Sequence, residues 1–447
     1  MKPRLQLLTG HCVDELNKLE PQSVQCIVTS PPYLWLRDYG TEPVAWPEIH
    51  YTPMIGMPPV VAPAQVASLG LEQDIASYVA HIVHVFRAAH RVLRRDGLCW
   101  INIGDSYASG GRSGGGSFME ERGDASWKGA SAVNGWRKPP PGFGRKDMLG
   151  MPWRVAYALQ ADGWRLRSDV IWQKPNCMPQ SAEDRPTSSH EYLFLFSRSD
   201  EYFYDGDAIR EPVTGGSHTR GGGVGGKAVP PGRGAQGRIR QNQSFGRAVR
   251  ELVTSRNKRT VWSIPTEAFK GKHFATFPRA LARPCILAST SAEGCCYACG
   301  APRRRQVVIE GPSFNELTKG RAASNYAAAW DGNPHSFAVR GSHGHIARVR
   351  KTVGWEPTCK CDEKRTRPCA VLDMFGGSGT VGVVAIAAGR SCTLIDLSHE
   401  YSQQAIRRLA RETVDAGWAD AASAAEEPNA AVQLGLLGYQ PDAEALP

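Results

Sequence analysis

The chain has 447 residues, of which 41% are hydrophobic and 21% charged, with a formal net charge of +10; at roughly 150 residues per domain this leaves room for about two to three domains and a large core. No run reaches the roughly 18 to 20 uncharged apolar residues of a membrane helix, and the start MKPRLQLLTGHCVDEL lacks an apolar leader with a small-residue cleavage site, so a soluble, cytoplasmic protein with no membrane partner is predicted. Twelve cysteines, five of them in tight pairs (Cys295, Cys296, Cys299, Cys359, Cys361), fit reduced thiols and a metal better than a disulfide scaffold.

In chain order, Leu5–Leu8 reads as a short strand, Val13–Leu19 as a helix, and Val24–Val28 as a buried strand ended by the prolines of Thr29-Ser30-Pro31-Pro32-Tyr33. Residues 41–68 are proline-rich and aperiodic, and 109–145 are rich in Gly, Ser, Arg and Lys; both read as flexible insertions. Ile75–Leu93 has helical spacing, Trp100–Ile103 reads as a strand, Leu149–Ala161 as a helix, and Ser168–Trp172 and Tyr192–Phe196 as strands. Between Pro212 and Thr260 ten Lys or Arg face a single acid, Glu251, a balance suited to tracking phosphates and equally to a solvated loop. Phe277–Leu287 returns to helical spacing with Pro278 at its start. Cys369–Phe375 and Thr393–Leu397 then read as strands, Val381–Ala388 and Glu400–Arg411 as helices, and the remainder as an acidic, Ala-rich tail. The alternation is an α/β pattern without internal repeats.

Two constellations carry chemistry. Ala370-Val371-Leu372 runs into Asp373-Met374-Phe375-Gly376-Gly377-Ser378-Gly379-Thr380 and an apolar helix. A strand, glycine turn and helix N-terminus let a nucleotide-like ligand approach the backbone, and a second strand ends at Asp396, where a carboxylate can accept from ribose hydroxyls. Neither the GxGxxG dinucleotide fingerprint nor the GxxxxGK[ST] phosphate loop is met, which disfavours an oxidoreductase; a purely structural glycine cluster is the alternative. Upstream, Ser30-Pro31-Pro32-Tyr33 lies where a buried parallel strand would meet a ligand crevice. An exocyclic amino group on a base is a poor nucleophile because its lone pair is delocalised into the ring. The Ser30 hydroxyl and Pro31 carbonyl can accept its two N–H bonds, Pro32 stiffens the loop, and Tyr33 offers a stacking face to a base taken out of the duplex.

Read as DxFxGxGT, residues 373–380 resemble motif I of the S-adenosylmethionine-dependent amino-methyltransferases that act on DNA. With SPPY ahead of it, the pair resembles the β arrangement of that family, in which the catalytic motif precedes the cofactor motif. Leu149-Gly-Met-Pro-Trp-Arg154, Ile171-Trp-Gln-Lys-Pro-Asn176 with Pro179, Asp184-Arg-Pro-Thr187, His190-Glu-Tyr192 and His273-Phe-Ala-Thr-Phe-Pro278 resemble further family segments. The resemblance implies a Rossmann-like, circularly permuted seven-stranded sheet, S-adenosylmethionine as cofactor and double-stranded DNA as partner. It implies catalytic roles for Ser30, Pro31, Pro32 and Tyr33 and cofactor contacts from Asp373, Phe375, Gly376, Gly377, Gly379, Thr380, Asp396, Phe277 and Pro278. It also implies DNA contacts from Arg37, Trp172, Lys174 and Asn176. The usual Gly-Asp-Cys near the N-terminus is here Gly10-His11-Cys12, which puts the adenine contact of that Asp in doubt. Ser before Pro-Pro-Tyr resembles enzymes that make N4-methylcytosine, whereas Asp or Asn is more usual in those that make N6-methyladenine.

Cys296, Cys299, Cys359 and Cys361 can supply four thiolates to one zinc ion, and the insert resembles a zinc ribbon; incidental thiols are the alternative. Gln433-Leu434-Gly435-Leu436-Leu437 resembles a sliding-clamp docking peptide, against the plainer reading of an apolar patch packing on its own domain. A restriction endonuclease is a further expected counterpart. The domains expected are a catalytic half (1–205), a basic target-recognition insertion (206–260), a return to the core (261–290), a zinc-ribbon insertion (291–367), a cofactor-binding half (368–411) and a tail (412–447). The expected function is methyl transfer to N4 of cytosine in duplex DNA; competing readings are the same transfer to N6 of adenine, an RNA or protein amino-methyltransferase, and a catalytically silent zinc-containing DNA-binding protein.

Overall fold

The computed structural model describes residues 2–108, 139–180, 182–212, 255–267, 277–310, 349–415 and 432–434. Met1–Ala208, Arg259–Arg304 and Pro357–Pro447 belong to one unit, and Ile209–Lys258 with Arg305–Glu356 to a second. The second unit contains a short antiparallel ladder of Glu211–Pro212 with Ser255–Arg256, in which Arg256 pairs with Glu211. Most of the basic segment, 213–254, and the middle of the expected ribbon insertion, 311–348, lie outside the described residues, as do 109–138 and His273–Thr276.

The first unit is built on one sheet. Its strands are β1 (Leu5–Thr9), β2 (Val24–Thr29), β3 (Leu93–Ile103), β4 (Arg165–Gln173), β5 (His190–Ser197), β6 (Val261–Ser263), β7 (Ala370–Asp373), β8 (Ser391–Asp396) and β9 (Val432–Leu434). The order across the sheet is β6-β4-β5-β3-β2-β7-β8-β1-β9. The run from β3 through β2, β7 and β8 to β1 is parallel, and β5 inserts antiparallel between β3 and β4. This is the expected α/β sheet of seven strands, widened by the short edge strands β6 and β9. The half bearing SPPY precedes the half bearing the glycine turn in the chain, yet β2 and β7 are neighbours in space.

Strands buried on both faces must be apolar on both, and β2 is buried along its whole length. With a register shift after Val24, its residues feed two cores: Val24 and Ile27 pack with helices α1 (Cys12–Lys18), α2 (Ile75–Val92) and α3 (Met151–Ala161). Cys26 and Val28 pack with α4 (Arg279–Ser289), α5 (Thr380–Ala387) and α6 (His399–Asp415) on the other face. Asp74 caps α2 by accepting from the Ser77 N–H at 2.8 Å. Among the described residues no helix is long and apolar enough to cross a membrane.

One expectation is corrected. Residues 41–68 hold nested antiparallel pairs, Val44–Trp46 with Gln65–Ala67 and Ile49–Tyr51 with Val60–Ala62, which bury Trp46, Ile49, Tyr51 and Ala62 against α2. Their prolines fall at strand ends and turns, where no ladder N–H is needed, so they hide the strands without breaking them. At the other end of the chain, Gln433 and Leu434 of the clamp-like peptide are part of β9, pairing with Gln6 and Leu5 of β1. Their backbone serves the chain's own sheet, and Gly435–Leu437 lie outside the described residues.

Candidate active site

The C-terminal edge of the parallel strands is where the two motifs meet. Asp373 ends β7 buried, and its Oδ1 accepts from the Thr29 hydroxyl of β2 at 2.7 Å and from the Phe375 N–H at 3.1 Å. One carboxylate thus ties the strand that carries SPPY to the turn that carries the glycines. Gly377 and Gly379 take positive φ, and a Cβ on Gly379 would meet Ala405 and Leu409 of α6 at 3.2 Å. Asp396 ends β8 and accepts from the Gly377 and Ser398 N–H groups, each at 2.8 Å, so it clamps the turn from the side. Behind the turn, the buried Arg408 donates to the Ser378 and Thr380 hydroxyls at 3.0 and 2.9 Å. The hydroxyl of Thr380 and the Oδ1 of Asp373 are therefore engaged within the protein, and both residues shape the turn rather than stand open. Phe277 packs partly buried on the α4–α6 side, and Pro278 starts α4.

The Ser30–Tyr33 loop is held from below by groups that no motif announces. The Tyr78 hydroxyl of α2 donates to the Pro32 carbonyl at 2.9 Å. Gly70, at φ +91°, lies so close that a Cβ would stand 3.0 Å from the Tyr33 carbonyl, and its own carbonyl accepts from the Trp35 N–H at 2.7 Å. Glu72, fully buried, accepts from the Gly70 N–H and pairs with His81, both at 2.8 Å. Fixing a loop this way preorganises its acceptors.

Tyr33 reaches across to the antiparallel half. Its hydroxyl lies 3.3 Å from Ser30 Oγ, 2.9 Å from Glu191 Oε2 and 3.2 Å from Asn102 Oδ1, and burial together with the Glu191 charge raises it well above the ordinary tyrosine value. Gly104 permits the ring, since a Cβ there would stand 2.8 Å from Tyr33 Cε2. Lys174 pairs with Glu191 and lies 4.4 Å over the Trp172 ring. Trp172 itself is a correction: it is 3% exposed, sits in the core and donates to the Ile264 carbonyl at 2.8 Å, so it supports Lys174 instead of meeting DNA. Asn176 exchanges hydrogen bonds with the Thr266 backbone and pins one loop to another.

Arg37 and Tyr39 lie within electrostatic reach of the strand ends: the Tyr39 hydroxyl feels Arg37, Asp396 and Glu191, and that of Tyr401 feels Tyr39, Asp396 and Arg37. Arg37 Nη1 and His11 Nε2 are buried without a partner among the described residues. His11 follows Gly10, whose N–H donates to the Asp396 carbonyl at 2.9 Å, and burial lowers its pKa.

The cysteines gather at the opposite edge of the sheet. Cys295–Cys296 pair antiparallel with Thr366–Arg367, which brings the Sγ atoms of Cys296, Cys299, Cys359 and Cys361 within 4.8 Å of one another. Cys295 is not in the cluster; it is buried against the Gln25 amide and the Arg367 carbonyl. Gln25, near the start of β2, donates to the Gly300 carbonyl at 2.9 Å and accepts from the Ala370 N–H at 2.6 Å, fastening the knuckle to the sheet.

Burial raises Asp373 to about 7 and Asp396 to about 6, from 3.8. Between about pH 4 and pH 7 the folded chain holds protons that the unfolded chain has shed, so the contribution of these groups to stability falls as pH rises through that window. Denaturant titrations of Asp373→Asn, which cannot ionise there, should show a shallower fall from about pH 5 to about pH 7 than the parent; an unchanged slope would remove Asp373 from the account.

Comparison with known proteins places this geometry in a family. A family model described as DNA methylase matches residues 24–296. The chain is 31% identical over 407 residues to Type II methyltransferase M.SmaI of Serratia marcescens, covering 91% of each chain. It is 39% identical over 284 residues to Type II methyltransferase M.Cfr9I of Citrobacter freundii, covering 64% of this chain and 72% of that one. A solved PvuII DNA methyltransferase described as cytosine-N4-specific superposes with a TM-score of 0.44 at 13% identity, over 91% of this chain and 88% of that one. On the matched span and the full-length relative, the chain belongs to the family of S-adenosylmethionine-dependent DNA amino-methyltransferases that modify N4 of cytosine or N6 of adenine.

Proposed function

We propose that the chain methylates N4 of cytosine at a specific site in duplex DNA, acting on a base turned out of the helix, and that it is the modification partner of a restriction endonuclease. The observation that carries the choice of base is Ser30: a neutral hydroxyl stands where a carboxylate or amide is more usual for adenine, half-buried and within reach of Tyr33. The Type II relatives support the pairing with an endonuclease.

The residues at the crevice fit S-adenosylmethionine. Asp396 offers carboxylate lone pairs beyond the two used by backbone N–H groups, and the partnerless His11 Nε2 and Arg37 Nη1 can each meet a polar group of the cofactor. When bound, the cofactor supplies an electrophilic methyl group. The chain's part is to hold the base amine: Ser30 Oγ and the Pro31 carbonyl accept its N–H bonds and draw the nitrogen's lone pair out of conjugation. Tyr33 flanks the base, and the basic segment 213–254 has the positive charge suited to DNA.

The four clustered thiols fit zinc. Thiolates about 2.3 Å from a tetrahedral ion are about 3.8 Å apart, within the spread of these Sγ atoms. The cluster adjoins the N-terminal ends of β2 and β7, away from SPPY, so the metal's role is structural.

Two measurements test this reading. Mass spectrometry of nucleosides from plasmid DNA treated with protein and isotope-labelled S-adenosylmethionine should place the label in N4-methylcytosine; label in N6-methyladenine would overturn the choice of base, and none in DNA the activity. Metal analysis should return about one zinc per chain, lost in Cys359→Ser together with several degrees of thermal midpoint. Full stability without metal would make the thiols incidental.

A further inference from the structure

We propose that Glu191 sets the direction of a hydrogen-bond chain through Tyr33 to Ser30, and that this chain carries away the proton released when the base amine is methylated. The proposal rests on Ser30 as the acceptor for that amine.

The direction follows from counting donors. A carboxylate only accepts, a tyrosine hydroxyl has one proton to give, and an ionised lysine only donates. Glu191 Oε1 receives Lys174, whose ammonium also lies on the Trp172 ring. Glu191 Oε2 receives Asn102 Nδ2 at 3.1 Å, and the same amide nitrogen donates to the Tyr192 carbonyl at 3.1 Å. That fixes the Asn102 side chain with Oδ1 toward Tyr33. Tyr33 then places its single proton on the closer, charged acceptor, Glu191 Oε2 at 2.9 Å. Its oxygen is left to accept, and the Ser30 hydroxyl donates to it at 3.3 Å. With its own proton turned to Tyr33, Ser30 presents lone pairs outward, as a group must that is to receive an N–H. Were Tyr33 to donate to Ser30 instead, the serine proton would point at the amine it is meant to hold.

The same chain balances the reaction. The amine lone pair becomes the new N–C bond, and sulfur keeps the electron pair of the broken S–C bond. Nitrogen is left with one proton too many. That proton passes to Ser30 Oγ, the serine proton to Tyr33 Oη, and the tyrosine proton to Glu191 Oε2. The carboxyl ends neutral and, at 18% side-chain exposure, can release its proton to solvent. Asn102, Lys174 and Glu191 touch neither base nor cofactor in this scheme; they are positioning residues.

The test is single-turnover methyl transfer with cofactor and DNA both saturating, in parallel with the equilibrium affinity for each. Glu191→Gln keeps the shape and replaces an acceptor by a group that also donates. It should slow transfer about 100-fold, with both affinities and the thermal midpoint unchanged. Tyr33→Phe should slow transfer similarly, and the double variant should be no slower than the worse single one, because the two links act in series. Transfer within about threefold of the parent in Glu191→Gln, or a loss explained entirely by weaker DNA or cofactor binding, would overturn the proposal. Ser30→Ala separates the two levels: full activity there would sink the acceptor assignment itself, whereas its loss beside a fully active Glu191→Gln would sink only the chain.

Discussion

The site depends on one buried hydrogen bond, 2.7 Å long, from the Thr29 hydroxyl to the Asp373 carboxylate. The two residues are 344 positions apart and end adjacent parallel strands. Because β2 and β7 run side by side in the middle of the sheet, the SPPY loop and the glycine turn leave the same edge together. The loop proposed to accept the amine and the turn proposed to approach the cofactor then share one crevice. Burying the carboxylate raises it to about 7, a cost offset by the Thr29 and Phe375 donors.

Around that bond a set of buried polar side chains serves preorganisation. Arg408 and Asp396 hold the glycine turn from two sides, while Tyr78, Gly70 and the Glu72–His81 pair hold the SPPY loop. In the proposed transfer orientation comes first, since the acceptors must meet the amine where its lone pair faces the methyl group, and the Glu191 chain then takes the released proton. The cysteine cluster stands at the other edge of the strands and leaves the crevice to the reaction.

Most strands and helices of the first unit were legible in the sequence, because buried parallel strands are apolar runs and their helices keep a regular stripe. The two motifs were legible as well, being local: spacing alone puts Asp373, the glycines and Thr380 on one turn. What was not legible is every partner that arrives from far along the chain. Glu191 was noticed only as the middle of His-Glu-Tyr, because a polar residue in a strand reads the same whether it faces water or Tyr33. In the sequence alone Arg408 is one more cation on an amphipathic helix, and Gln25 a polar interruption in an apolar strand. Trp172 was expected to meet DNA because its segment resembles one that does so in the family; its burial follows from the edge strand β6, whose three residues are too few to be read. The hairpins within 41–68 were hidden by their prolines.

That the crevice between β2 and β7 is the common seat of cofactor and base is tested most directly by photochemical cross-linking of methyl-labelled S-adenosylmethionine to the full chain, followed by peptide mapping. The label should fall in peptides holding Ser30–Tyr39, Asp373–Thr380 or Asp396–Tyr401. Label confined to the cysteine knuckle or to peptides of the second unit would contradict the account.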